Sequence, residues 1–168
     1  AIAGVYPTGS TFKPIVAIAG LESKSIDDRF GVHCPGGASF YGHYFKCWLK
    51  GGHGGVALHS GIVHSCDVYF YNVGNKTGID NIATYAEGLG LGRKTGVDLP
   101  QEKDGVVPST KWKLRNFRQK WYAGETISVA IGQGALVVTP LQLARAYAGW
   151  ITGGIVPVPH LLKTLNGT

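Results

Sequence analysis

Gly9-Ser10-Thr11-Phe12-Lys13-Pro14 runs straight into Ile15-Val16-Ala17-Ile18-Ala19-Gly20-Leu21. The second stretch is almost wholly apolar, as a buried helix is. Pro14 fits a helix only in its first turn, where the missing N–H costs nothing. The helix therefore begins near Ser10, and the spacing predicts it over residues 10–23. Ser10 and Lys13 stand at i and i+3, so one helical face carries a hydroxyl and an amine. A serine is a poor nucleophile until a base takes its proton. A lysine serves as that base only when desolvation or a neighbouring charge prepares it. The outward-pointing N–H groups of the helix start would favour a developing oxyanion. On these residues alone, a helix cap followed by a surface lysine is the commoner meaning of S-x-x-K.

The 168 residues have the length of one domain, and 44% hydrophobic content can build a core. The 26 glycines point to extensive irregular structure. No apolar run approaches the ~18 residues of a membrane span. The net charge of +6 suits solubility first and an anionic envelope surface second. No nucleic-acid-binding motif accompanies it, so nucleic acid is not expected as a partner.

Working outward, residues 31–55 show neither helical nor strand period. They are rich in glycine and aromatic residues, hold Cys34, Cys47, His33, His43 and His53, and read as a loop fixed by something other than apolar burial. Residues 56–73 read as two helices broken near Ser65, the second closing at Gly74 to Gly78. Residues 79–89 form a short helix. Residues 97–107 are extended loop, 112–121 are basic and aromatic, and 126–131 alternate like a short strand. Thr139, Pro140 and Gln142 carry the signature of a capping box ahead of an apolar stripe of Leu143, Ala144, Tyr147, Ala148 and Ile151. In the basic segment, Lys111, Lys113, Arg115, Arg118 and Lys120 read as a solvated face anchored by Trp112, Phe117 and Trp121. Gly132-Gln133-Gly134 lacks the following Lys-Ser/Thr of a phosphate loop and reads as close backbone packing.

The three cysteines are an odd number, so complete internal pairing is excluded. Cys34, Cys47, His53 and Cys66 give C-x12-C-x5-H-x12-C. Three thiolates and an imidazole are a usual tetrahedral zinc set. His33, His43, His59, His64 or Asp67 could stand in for His53. The rival reading is one disulfide with Cys66 left as a free buried thiol.

Taken together, Tyr6 to Pro14, Ser65-Cys66-Asp67, Thr95-Gly96-Val97-Asp98-Leu99-Pro100, Trp121 to Thr126, Ile131-Gly132-Gln133-Gly134 and Thr139-Pro140-Leu141-Gln142 resemble, in order, the landmarks of the class B penicillin-binding proteins of the elongation type, the penicillin-binding protein 2 group. The resemblance covers nearly the whole chain. It implies an α/β fold of the α+β type, the penicillin-binding transpeptidase and serine β-lactamase-like fold. Residues 1–168 would be a partial transpeptidase domain, mainly its helical part. The membrane anchor, the pedestal domain and the sheet strands bearing the K-S/T-G motif would lie outside it, and the piece alone would be inactive. Lys76-Thr77-Gly78 and Lys94-Thr95-Gly96 mimic that motif, but the first reads as a helix end and the second as the turn before Val97.

The resemblance implies a peptidoglycan D,D-transpeptidase acting in cell-wall elongation. Ser10 would be the nucleophile, Lys13 the general base, Ser65 a proton relay, and Asp67 a group that orients Lys13, binds substrate or caps the following helix. Stem peptides would be substrates, β-lactams inhibitors, and a glycosyltransferase of the elongation machinery a partner. The site would face the periplasm from the inner membrane. Some rod-type relatives carry a zinc near the active site, with aspartates where Cys34 and Cys47 stand here and a cysteine matching Cys66. That metal would be structural and would hold Ser65 in place. Two other classes stay open: a β-lactamase or D,D-carboxypeptidase with water as acceptor, and a non-enzymatic zinc-stabilised scaffold or β-lactam sensor.

Overall fold

The structure is a computed structural model that describes residues 1–162. A 3-10 turn, Gly9–Phe12, leads into α1, Lys13–Glu22, with Pro14 in its first turn. Four short strands follow: β1 Gly31–Cys34, β2 Gly37–Phe40, β3 His43–Lys46 and β4 Gly54–Ala57. Then come α2 Leu58–Val63, α3 Asp67–Thr77, α4 Ile79–Gly88, α5 Thr110–Phe117, α6 Ala123–Val129 and α7 Pro140–Ile151. The break between α2 and α3 falls at Ser65, and Gly78 closes α3, as the sequence predicts.

The core is helix on helix. α1 packs between α3 and α4, and α3 also packs against α6. Phe12, Val16, Phe70, Val73, Ile82, Ile127 and Leu136 are buried where these helices meet. Each such side chain contributes about 1.5–3 kcal/mol on leaving water. This core presses the start of α1 against the start of α3, where Lys13 and Asp67 meet.

Residues 31–55 are not the loop their composition suggests. β1 pairs antiparallel with β4, and β2 with β3, so one hairpin is nested inside another pairing. Strands of four residues are too short to display a period of two against a background of glycine. The alternating Thr126 to Ile131 segment is likewise helical through Val129. There Glu125 accepts the Tyr122 N–H at the helix start, and Thr126, Ile127 and Val129 are buried on the side facing α3. Burial of that face overrides the β-branched preference for strand. The capping box at α7 is half present: Thr139 Oγ1 accepts the Gln142 N–H at 3.2 Å. The Gln142 side chain instead donates to the carbonyls of Lys103 and Asp104, tying an extended loop to the helix. In the basic segment Lys113 is buried, paired with Glu125 and set over Trp121, so it is not part of the solvated face.

Candidate functional site

The start of α3 and the start of α1 meet at Lys13, which is 2% exposed. Its Nζ donates to Ser65 O at 2.8 Å, Ser65 Oγ at 3.0 Å and Asp67 Oδ1 at 2.6 Å. Those three bonds are the full complement of a lysine ammonium. The ring of Phe70 lies 5.7 Å from Nζ on one side. Asp67 occupies the first turn of α3, where the helix dipole favours a carboxylate. It does not cap that helix. Its second oxygen, Oδ2, accepts the Trp48 N–H at 3.0 Å.

Presenting both its carbonyl and its hydroxyl to one amine requires an unusual backbone at Ser65. Its φ is +51°, in the left-handed region. Such a conformation at a non-glycine residue costs on the order of 1–3 kcal/mol and persists only where surroundings enforce it.

Ser10 opens on the same cleft, of about 440 Å³, lined also by Gly9, Trp48, Ser65, Asp67, Ile131 and Gln133. It is not among the hydrogen-bond partners of Lys13, whose three N–H groups are taken by Ser65 and Asp67. The turn bearing Ser10 is held from behind. The Gly9 N–H donates to Gly132 O at 2.9 Å, and the Tyr147 hydroxyl donates to Thr11 O at 2.8 Å. Gly132 has φ +74°, and a Cβ there would stand 2.0 Å from Gly9 O. Only glycine allows this approach, which matches the packing read from Gly132-Gln133-Gly134.

Neither K-T-G sequence faces this cleft. Lys76-Thr77-Gly78 ends α3. In Lys94-Thr95-Gly96, the Thr95 N–H, the Thr95 hydroxyl and the Gly96 N–H all donate to the carboxylate of Glu102. Trp48 is the cleft residue that sequence reasoning missed. Its indole N–H donates to His64 O and its ring meets His53 edge-on, yet it remains 62% exposed. The available signal was a large aromatic directly after Cys47.

A second cluster adjoins the first. Cys34 Sγ, Cys47 Sγ, His53 Nδ1 and Cys66 Sγ all lie within 4.8 Å of one another. His53 Nδ1 is 3.7 Å from Cys34 Sγ and 3.6 Å from Cys47 Sγ. A tetrahedral site with zinc–sulfur bonds of about 2.3 Å and zinc–nitrogen bonds of about 2.0–2.1 Å has S···N edges of about 3.6 Å. All three cysteines are buried free thiols, so the disulfide alternative is not adopted. Burial would push Cys34 up, but hydrogen bonds with the His53 and Gly36 backbone and with the His53 ring outweigh it and bring the thiol to about 7. Burial, joined by the charges of Cys34 and Cys47, pushes Cys66 up to about 12. Three sulfurs this close repel as thiolates, and a dication is what relieves that repulsion. The donor set thus fits a four-coordinate, closed metal site. Of the alternatives to His53, His64 is nearby, its ring stacked 6.0 Å from that of His53, but it is not in the cluster.

Comparison with known proteins follows the same lines. Residues 1–167 match the family described as the penicillin binding protein transpeptidase domain. The chain is 47% identical over 169 residues to the peptidoglycan D,D-transpeptidase MrdA of Acinetobacter baumannii, covering 99% of this chain and 25% of that protein. It therefore spans about a quarter of that relative's length. Among solved structures, that of Pseudomonas aeruginosa PBP2 in complex with WCK 5153 superposes with a TM-score of 0.94 at 41% identity, over 99% of this chain and 38% of that one. A complex of PBP2 and MreC from Helicobacter pylori superposes with a TM-score of 0.89 at 39% identity, over 99% of this chain and 31% of that one.

Proposed function

Because the chain belongs to the penicillin-binding protein transpeptidase family, we propose that it supplies the acylating centre of a peptidoglycan D,D-transpeptidase of cell-wall elongation. The observation that carries this reading is the position of Lys13 Nζ, buried 3.0 Å from Ser65 Oγ, with Ser65 and Ser10 both lining the same cleft.

Ser10 Oγ attacks the carbonyl of a D-Ala–D-Ala stem peptide, and the Ser10 backbone N–H is one donor of the oxyanion hole. The nucleophile's proton passes to Lys13. To accept it, Nζ must first lose a proton to solvent, and with it one of its three hydrogen bonds, because a neutral amine carries two N–H groups and a lone pair. The bond to Ser65 Oγ is the one to give up. Ser65 then passes its hydroxyl proton to the leaving nitrogen and takes the Ser10 proton from Lys13 in its place, as the C–N bond breaks and D-alanine departs. An ester on Ser10 remains. The amine of a second stem peptide attacks it, loses its proton through the same relay and restores the serine. Asp67 holds Lys13 throughout and is itself held by the Trp48 N–H.

Cys34, Cys47, His53 and Cys66 would hold a zinc ion whose contribution is structural. With four protein ligands such an ion would leave no open position for a hydrolytic water. Cys66 lies between Ser65 and Asp67, so fixing its sulfur fixes the turn that carries both. The enzyme as a whole would work on the periplasmic side of the inner membrane, with a glycosyltransferase and scaffold proteins of the elongation machinery as partners. The similar PBP2 of Helicobacter pylori is known in complex with MreC. β-Lactams, as mimics of D-Ala–D-Ala, would acylate Ser10.

The test is intact-mass analysis of the full-length protein incubated with a penicillin, beside Ser10→Ala. A stable adduct on Ser10, missing in the variant, is expected. No adduct on folded, zinc-loaded protein would overturn the reading. An adduct that turns over rapidly would favour a hydrolase instead.

A further inference from the structure

At the other end of α3 from the catalytic cleft lies a second groove, of about 360 Å³. The tip of the β2–β3 hairpin forms one wall, and the end of α3 with the starts of α4, α5 and α6 forms the rest. The lining that matters is Tyr41, Asn75, Asp80, Asn81, Thr110 and Trp121.

Three features set this groove apart. The first is Tyr41. It takes the first position of the tight turn between β2 and β3, with φ +52° and Gly42 next at φ +80°. Asparagine, aspartate or glycine normally fills that position. A tyrosine there strains the backbone, and its ring is 57% exposed over the groove with its hydroxyl donating to Asn75 Oδ1 at 2.6 Å. The second is the pair of amides. Asn75 has its oxygen engaged by Tyr41, so its N–H groups are free to donate. Asn81 has its nitrogen engaged by Thr77 O at 2.9 Å, so its oxygen is free to accept. The third is charge. Asp80 is the one charged residue of the lining, and both its oxygens are occupied by Thr110.

A ligand for this groove is therefore not an anion. It offers a carbonyl to Asn75 and an N–H to Asn81, and it presents a C–H face to aromatic rings. An acetamido sugar has all three. We propose that the groove is a binding site for N-acetylated hexosamine units. Identification of the natural ligand as the glycan strand of peptidoglycan rests on the transpeptidase reading; the sugar chemistry does not. The placement suits that polymer. Asp67 opens α3 at the catalytic cleft, and Asn75 stands eight residues on, about 12 Å along the helix. A strand held at the groove would offer its stem peptide at a fixed distance from Ser10.

The test uses saturation-transfer NMR on the full-length protein with chitotetraose, a peptide-free N-acetylglucosamine tetramer, and with cellotetraose, which lacks the acetamido groups. Chitotetraose is expected to bind and cellotetraose not. Asn75→Ala and Tyr41→Ala are each expected to weaken chitotetraose binding at least tenfold while penicillin still acylates Ser10 at the parent rate, which also shows the variants folded. Equal binding of both sugars, or chitotetraose binding unchanged in both variants, would overturn the proposal. Protein that is acylated by penicillin but takes no chitotetraose would overturn the groove and leave the transpeptidase reading intact. Protein that binds chitotetraose here but never acylates would do the reverse.

Discussion

Asp67→Ala isolates the ion pair on which the proposed catalytic arrangement depends. The carboxylate accepts Lys13 Nζ at 2.6 Å and the Trp48 N–H at 3.0 Å. Lys13 is 2% exposed, so in the intact protein its charge depends on Asp67 and Ser65 in place of water. Breaking a buried pair on one side typically costs about 3–5 kcal/mol. Here Nζ keeps both Ser65 acceptors, which places the loss near the lower figure, about 3 kcal/mol. For a chain of this size each kcal/mol moves the midpoint by about 2–4 °C, so Tm should fall by about 6–12 °C. Lys13→Met removes the charge and keeps the volume. Combined with Asp67→Ala, it should recover much of the loss, with a coupling energy of about 2–3 kcal/mol in a double-mutant cycle read by denaturant unfolding. In the full-length protein, both single variants and the double should lose penicillin acylation while remaining folded. A coupling below about 0.5 kcal/mol, the ordinary value for independent sites, would refute the claim that Asp67 acts on Lys13.

Three further outcomes follow from other parts of the molecule. Protein purified without chelator should carry one zinc per chain by elemental analysis, and Cys34→Ser or Cys47→Ser should lower both the zinc content and Tm; zinc-free protein of unchanged Tm would sink the structural role. Gly132→Ala places a left-handed alanine, costing about 1–2 kcal/mol, against Gly9 O, and by displacing the Ser10 turn should slow acylation at least about 100-fold, measured with a fluorescent penicillin. For Glu102, burial pushes its pKa up, but the Thr95 hydroxyl, the Thr95 and Gly96 N–H groups and Lys94 outweigh this and hold the carboxyl below its usual range. Its folded pKa is thus the lower one, so its stabilisation is complete above the ordinary carboxylate pKa and is lost as pH falls through the folded value. Glu102→Gln should cost about 1.5–3 kcal/mol at neutral pH and flatten the loss of stability on acidification, followed by thermal unfolding from pH 7 to pH 3.

What was legible in the sequence was chemistry carried by residue type at short range. Pro14 and the apolar run after it place the start of α1. Three thiols and an imidazole announce one another whatever the backbone between them does, and the structure brings those four side chains together. What was not legible depended on partners distant in sequence. The segment from Thr126 to Ile131 looks like a strand until α3 is there to bury one face of it as a helix. Gln142 looks like the second half of a capping box, but the carbonyls of Lys103 and Asp104 compete for its amide and win. Lys113 looks solvated among its basic neighbours until Glu125, on another helix, draws it inward. The role of Trp48 was hidden for the same reason, since its N–H is committed to an aspartate nineteen residues away.

The left-handed Ser65 joins the two clusters into one device. A serine at φ +51° relaxes unless its neighbours prevent it. Before it, the His64 carbonyl accepts the Trp48 indole, and the Ser65 N–H donates to Ile62 O at 3.1 Å. After it, the Cys66 N–H donates to Gly61 O at 2.9 Å, the Cys66 sulfur sits in the thiol and imidazole cluster, and Asp67 begins α3. Lys13 grips the turn from the third side through both Ser65 oxygens. Cys47 and Trp48 are adjacent, so the strand end that supplies one sulfur also supplies the N–H that holds Asp67. Loosening the sulfur cluster therefore acts on Lys13 and Ser65 together, through Cys66 on one branch and through Trp48 on the other. On this geometry, losing a cluster ligand lowers acylation by releasing Ser65 toward an ordinary backbone conformation, even though no cluster atom touches the substrate.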